Sequence, residues 1–362
     1  MSVAGRRSGD TPEPEAVAAA IREASFVRLA ATADGDALAA TGLLVRALEA
    51  TETPYQAAVD VVPEPPATDA DCTVTIGYAL DGSVAIDTAP LSLAAAEAAR
   101  ELVSDAVDPV LALAGGVCAG AEPSGRLLEV AGLERRPGIA FPTADQIDGL
   151  MWSTLIHAEF SGDRAAAKAA LADLDDEGPR QLASLVALSV VEDAVPRAAV
   201  TVERALRPYK CGRFETLGGY ADVLEAVSCD RPGLGLALAL GQDIETTALE
   251  TWREHGRRAH TALREADTGR YDGLYVARVD SDAPLSTVAR LCLGYCSPEP
   301  LVLAATDDRA AVVADQSVDF EGALQAAAAV LDGRAVARTC RGTATFDGTA
   351  DEFLDAYREA IQ

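Results

Sequence analysis

The feature that most constrains this chain lies near its start. An apolar run at 26–31 (FVRLAA) ends in a short acidic loop, Thr32-Ala33-Asp34-Gly35-Asp36, which passes directly into a helical pattern over 36–50. A short apolar run bounded by turn residues reads as a buried strand. The same alternation continues with strands at 55–61, 72–76 and 83–86, then helices at 93–104 and 109–118. Strands alternating with helices imply a parallel sheet covered on both faces, and ligands of such sheets gather beyond the carboxyl ends of the strands. Here those ends are 31–36, 77–81 and 87–90.

The pattern changes twice farther on. Residues 144–240 are mainly helical, and 244–266 reads as one long polar-faced helix carrying Trp252, Arg253, Arg257, Arg258 and Arg264. After Gly269, strands recur at 273–279, 300–305, 310–314 and 335–338, with helices at 285–295, 320–331 and 350–361. A chain of 362 residues is long enough for two cores, because single cores seldom grow past about 250–300 residues. The expected division is a disordered lead-in at 1–14, a first domain at 15–243 with its helical part at 144–243, a linker helix at 244–268 and a smaller α/β domain at 269–362.

No apolar run approaches the ~20 residues of a membrane span, and Arg6 and Arg7 are not followed by the apolar core of a signal peptide, so the expected location is the cytoplasm and no membrane partner is expected. Net charge is −27, and Lys168 and Lys210 are the only lysines. An acidic surface poor in lysine suits a protein that must stay hydrated in molar salt, where the Debye length is only ~3 Å. The charge therefore speaks of habitat more than of function. The seven cysteines are odd in number and irregular in spacing, which argues against disulfides. Cys292 and Cys296 fall in a helical apolar pattern and read as packed thiols. His157, His255 and His260 all lie in helical segments, where packing or surface roles are expected.

Acidic residues at a strand's carboxyl end beside a helix start suit a divalent metal or a phosphate, although a lone Asp36 there also reads as a helix N-cap. The segment Ala30-Ala31-Thr32-Ala33-Asp34-Gly35 resembles the first motif of the DHH phosphoesterase superfamily, a strand ending in His-x-Asp-Ala-Asp-Gly. The second aspartate and the glycine of that motif are present. Val84-Ala85-Ile86-Asp87-Thr88-Ala89-Pro90-Leu91-Ser92 resembles the Asp-His-His segment, with Asp87 kept and both histidines replaced. The strand at 74–77 ends in Gly77 where a metal-bridging aspartate is expected, and Cys118 or Ala119 stands where a fourth aspartate is expected. Residues 209–241 and 274–316 are similar in order and spacing to the helical segment and C-terminal domain of archaeal RecJ-like proteins. The Gly-Gly-Gly-His stretch of that domain is matched by Arg338-Thr339-Cys340-Arg341-Gly342-Thr343-Ala344-Thr345-Phe346, with one glycine and no histidine.

The resemblance, to a haloarchaeal RecJ-like protein of the DHH superfamily, implies the fold read above and a degenerate catalytic centre. Two-metal hydrolysis needs cations ~4 Å apart held by several carboxylates and imidazoles. Asp34, Asp36 and Asp87 are vestigial positions of such a centre, so no resident metal or cofactor is expected. The implied role is a scaffold or regulatory subunit in DNA replication or repair, with an active RecJ-like paralogue, the GINS complex or the replicative helicase as partner. One alternative is an active single-strand exonuclease using manganese or magnesium on those three aspartates. Another is a nucleotide-binding module. Arg204, Arg207, Lys210 and Arg213 form a basic island in an acidic chain and are the expected contacts for single-stranded DNA or RNA, with Tyr209 and Phe214 placed to stack on bases.

Overall fold

The computed structural model describes residues 14–64, 70–172, 178–191, 195–315 and 318–361. The expected lead-in at 1–14 lies outside them except for Pro14. β1 (Val27–Thr32) is buried at every residue, as its unbroken apolar run requires. It sits inside a four-stranded sheet of order β2-β1-β3-β4, where β2 is Tyr55–Asp60, β3 Cys72–Ile76 and β4 Val84–Ile86. All three pairings are parallel. The helix Gly35–Ala50 follows β1 directly and packs against the helices Leu91–Leu102 and Pro109–Cys118. The parallel sheet expected from the alternation is observed, but the expected cover on both faces is not complete: Gln56, Ala58 and Asp60 leave one face of β2 exposed.

The helical stretch divides in two. The helices Gln146–Trp152, Arg164–Ala172, Pro179–Val191 and Arg197–Glu203 build an apolar cluster of their own, with Leu150, Ile156, Val186 and Val202 inside it. The helix Leu217–Asp230 returns to the first core with Tyr220, Val223, Leu224 and Val227. The long helix Glu245–Glu265 then buries Trp252, His255 and His260. Gly256 lets the turn at Trp152 reach its backbone, since a Cβ there would lie 2.0 Å from the Trp152 carbonyl oxygen.

The second sheet is mixed and has six strands in the order β5-β6-β7-β8-β10-β9. β5 is Asp267–Tyr271, β6 Leu274–Arg278, β7 Leu301–Ala305, β8 Arg309–Ala314, β9 Arg334–Arg338 and β10 Arg341–Thr345. Only β6 and β7 pair in parallel. The helices Glu321–Val330 and Ala350–Ala360 cover one face, and Leu285–Leu291 covers the other. The helix expected over 285–295 changes character at Cys292–Cys296, a wider π turn closed by a 2.7 Å bond from the Ser297 amide to the Cys292 carbonyl. All seven cysteines are free thiols.

Candidate functional site

β9 and β10 are joined by the short turn Thr339-Cys340, which carries two arginines back against the carboxyl end of β1. Arg338 places Nη2 2.6 Å from Asp34 Oδ2, with the two side chains 8% and 9% exposed. Asp34 Oδ2 also accepts the Thr32 hydroxyl at 2.8 Å, and Oδ1 accepts the Ala37 amide at 3.0 Å, so Asp34 caps the following helix. Burial raises its pKa, but Arg338 and then Arg341 outweigh burial and hold it below the usual carboxylate value.

Asp36 lies one residue inside the helix and points elsewhere. Its Oδ2 accepts the Leu91 amide at 2.7 Å and its Oδ1 the Ser92 amide at 2.9 Å, so both oxygens are used in holding the start of the Leu91–Leu102 helix. Burial, assisted by the charge of Asp34, raises its pKa despite the opposing pull of Arg338. The helix capped in sequence by the Asp34-to-Asp36 loop thus takes its cap from Asp34, while Asp36 fixes a neighbouring helix. Asp87 is half-buried, with the Thr88 hydroxyl 3.5 Å from its Oδ1.

Arg341 completes the seam. Its Nη1 lies 3.3 Å from Glu225 Oε1, and its Nη2 donates to the Cys118 carbonyl at 3.0 Å. Glu225 Oε2 in turn accepts the Gly35 amide at 2.8 Å. Gly35 has no room for a side chain, because a Cβ would lie 2.5 Å from Cys118 Sγ. Around these groups runs a small cavity of about 30 Å³ touching Thr32, Asp34, Gly77, Arg338, Arg341 and Thr343. It adjoins a wider cleft of about 290 Å³ that includes Asp230, Arg258, Asp282, Ser286 and Arg309. Thr343 Oγ1 donates to the Val61 carbonyl at 2.9 Å, and Arg334 meets Glu64 at 2.9 Å, tying the second sheet to the segment after β2.

The donor set does not fit a pair of divalent cations. Every hydrogen bond to Asp34 and Asp36 described above comes from an N–H or O–H of the protein. Gly77, the place of the expected bridging aspartate, adopts φ +89°, and a Cβ on it would lie 2.2 Å from Thr32 Oγ1. Among the described residues, no three His, Cys, Asp or Glu side chains come together as metal ligands. The missing histidine of the 338–346 stretch is legible in the sequence, whereas what the arginines there reach is not. Two arginines in place of a glycine-histidine stretch were the available signal.

The basic island separates into two groups. Arg213 faces inward, with Nε 2.6 Å from Glu245 and Nη1 2.7 Å from the Leu238 carbonyl. Arg197, earlier on the same stretch of chain, also faces inward and donates to the carbonyls of Leu293, Ser297 and Glu299. Phe214 is buried against Tyr220 at 5.0 Å between ring centroids. Arg204, Arg207 and Lys210 are exposed. Isolated bridges between Arg135 and Tyr209 and between Ile139 and Leu206 set them beside Arg135 and Arg136, and Arg135 lies over the Tyr209 ring at 4.8 Å.

The histidines pack inside the protein. His255 bridges Asp230 at 3.1 Å and the Thr287 hydroxyl at 2.9 Å. His157 and His260 face each other with Nδ1 atoms 3.1 Å apart, and His260 Nε2 lies 3.0 Å from the Ser153 carbonyl. That carbonyl can only accept, so His260 carries its proton on Nε2 and accepts from His157 at Nδ1. Burial and then Arg264 lower the His157 pKa to about 4, and burial and then His157 lower that of His260 to about 3.

Residues 266–359 match the family described as "Uncharacterized protein rrnAC1427, C-terminal domain". Over 376 aligned residues the chain is 49% identical to the protein rrnAC1427 of Haloarcula marismortui, covering 100% of both. The chain belongs to the rrnAC1427 family. Among solved structures, this rrnAC1427-family fold is similar to CDC45 from Entamoeba histolytica, with a TM-score of 0.57, 9% identity, and 96% of this chain and 97% of that one covered. RecJ from Thermus thermophilus in complex with Mg2+ is 14% identical with a TM-score of 0.45, covering 96% of this chain and 51% of that one. The CDC45 likeness shows the fold alone: a mixed α/β architecture with a parallel first sheet and a second sheet in the C-terminal region. Among the described residues no helix is long and apolar enough to cross a membrane.

Proposed function

We propose that this rrnAC1427-family protein is a non-hydrolytic DHH-type component of DNA replication or repair, acting as a scaffold or regulatory subunit. One observation carries the reading: Asp34 and Asp36, the motif carboxylates at the end of β1, are held by Thr32, Ala37 and Arg338 and by the Leu91 and Ser92 amides. Carboxylates held this way build structure, and a metal-activated hydroxide needs them free. The CDC45-like fold and the RecJ-like order of segments support a replication context. An active RecJ-like paralogue, the GINS complex or the replicative helicase is the proposed protein partner. Single-stranded DNA or RNA is proposed to contact Arg204, Arg207 and Lys210. The acidic, lysine-poor surface and a relative from Haloarcula marismortui support a molar-salt cytoplasm as the setting.

The test is hydrolysis of a 5′-labelled single strand by purified protein in molar KCl with manganese, beside an Asp34→Ala/Asp87→Ala variant. No cleavage by either protein is expected. Cleavage by the wild type that the variant lacks would sink this reading in favour of a manganese- or magnesium-dependent exonuclease. The cleft of about 290 Å³ beside the seam supports a second reading, a nucleotide-binding module. A thermal shift with mononucleotides that longer strands do not give would favour it.

A further inference from the structure

We infer that Arg338 is a tethered replacement for a divalent cation: its guanidinium, delivered by the second sheet, neutralises Asp34 and fills the cation's place at any divalent-metal concentration. The inference rests on the non-hydrolytic reading and deepens it by saying what stands in the cation's place. Three observations support it.

The first is position. A divalent ion held by the motif would sit against Asp34, and there Arg338 Nη2 lies 2.6 Å from Oδ2 with both side chains more than nine-tenths buried. The second is exclusion of a fuller ligand set. Gly77 cannot become aspartate while Thr32 stays in place, because φ is +89° and a Cβ would meet Thr32 Oγ1 at 2.2 Å. Asp36 cannot turn inward without releasing the Leu91 and Ser92 amides. The third is charge. The buried acids Asp34, Asp36 and Glu225 face the guanidinium groups of Arg338 and Arg341 across one seam.

A guanidinium reproduces the cation's charge but not its chemistry. It is a planar, permanently charged donor with no acceptor and no open coordination position. It cannot bind water as a Lewis acid or lower the pKa of that water, which are the services a catalytic metal supplies. It is also covalently part of the second sheet, so the attraction that holds a free ion in place here holds two parts of the fold together.

The experiment is Mn2+ binding followed by electron paramagnetic resonance in molar KCl. The proteins are wild type, Asp34→Asn, Arg338→Ala and Asp34→Asn/Arg338→Ala, with folding checked by circular dichroism. Wild type and Asp34→Asn should bind Mn2+ equally weakly. Arg338→Ala leaves a buried carboxylate unpaired and should bind Mn2+ at least about tenfold more tightly, a gain that the double variant loses. Binding by wild type that Asp34→Asn abolishes would overturn the inference, and so would a folded Arg338→Ala protein with no gain. If Arg338→Ala does not fold, the wild type against Asp34→Asn still decides. Chelator treatment of the wild type offers a second readout: an unchanged melting temperature is expected, and a fall overturns the inference. Mn2+ binding through Asp34 without strand cleavage would remove this inference alone, whereas cleavage would remove the non-hydrolytic reading.

Discussion

Replacing Arg341 with methionine should weaken the whole molecule by about 3 kcal/mol. Removing one member of a buried ion pair costs about 3–5 kcal/mol, because the remaining charge stays desolvated and unpaired. The remaining charge here is Glu225, whose side chain is 8% exposed, and the Cys118 carbonyl loses its donor as well. Arg341 itself is 20% exposed, so water screens part of the pair and the lower end of that range applies. Glu225 keeps its bond from the Gly35 amide, which prevents a larger loss. Unfolding followed by circular dichroism in urea at molar KCl reads the change in midpoint. The pairwise origin is tested with Arg341→Met/Glu225→Gln. The neutral amide oxygen can still accept from Gly35, and no unpaired charge remains, so the double variant should recover more than half of the loss. The reasoning is refuted if Arg341→Met stays within about 0.5 kcal/mol of wild type, or if the double variant is no more stable than the single one.

Two further outcomes follow from the same geometry. The folded state holds His157 and His260 neutral, with pKa values of about 4 and about 3 against 6.5 for a free imidazole; the unfolded chain therefore takes up protons first. Stability from this pair is complete above pH 6.5 and is lost as pH falls toward 4, at up to about 1.4 kcal/mol per pH unit for each histidine. Urea midpoints measured from pH 7.5 to 4.5 should show that slope, and His157→Gln should flatten it. Charge reversal of Arg204, Arg207 and Lys210 together should weaken single-strand binding and make its salt dependence shallower by about 2 in the log–log slope, taking about 0.7 per phosphate contact. Fluorescence anisotropy across a KCl series measures both, and an unchanged slope would remove these residues from the interface.

β1 was open to sequence reading because burial at every residue leaves an apolar run that little else produces. β1, β2, β3 and β4 fall within a residue or two of where the pattern puts them. β5 and β10 were not anticipated. DTGRY lies on an exposed edge, and RGTAT alternates small residues with polar ones, so neither carries the apolar signal of a buried strand. The site was legible as far as its location at the end of β1. Its chemistry was not, since the partner of Asp34 stands more than 300 positions away in sequence and nothing local announces that a β9 arginine will reach it. The basic island misled for a related reason: counted along the chain, Arg213 and Arg204 are alike, and only folding turns one inward and leaves the other in solvent.

The contact between Gly77 and Thr32 gives the molecule a direction in evolutionary time. To place a carboxylate at 77, the chain would first have to shrink Thr32, which loosens the cap on Asp34. To free Asp34 it would have to remove Arg338, which strands a buried charge. Each step taken alone lowers stability before any activity could reward it, so any path to a metal centre here crosses a valley at every first move. A chain whose buried charges are paired this way keeps those carboxylates in the service of the fold.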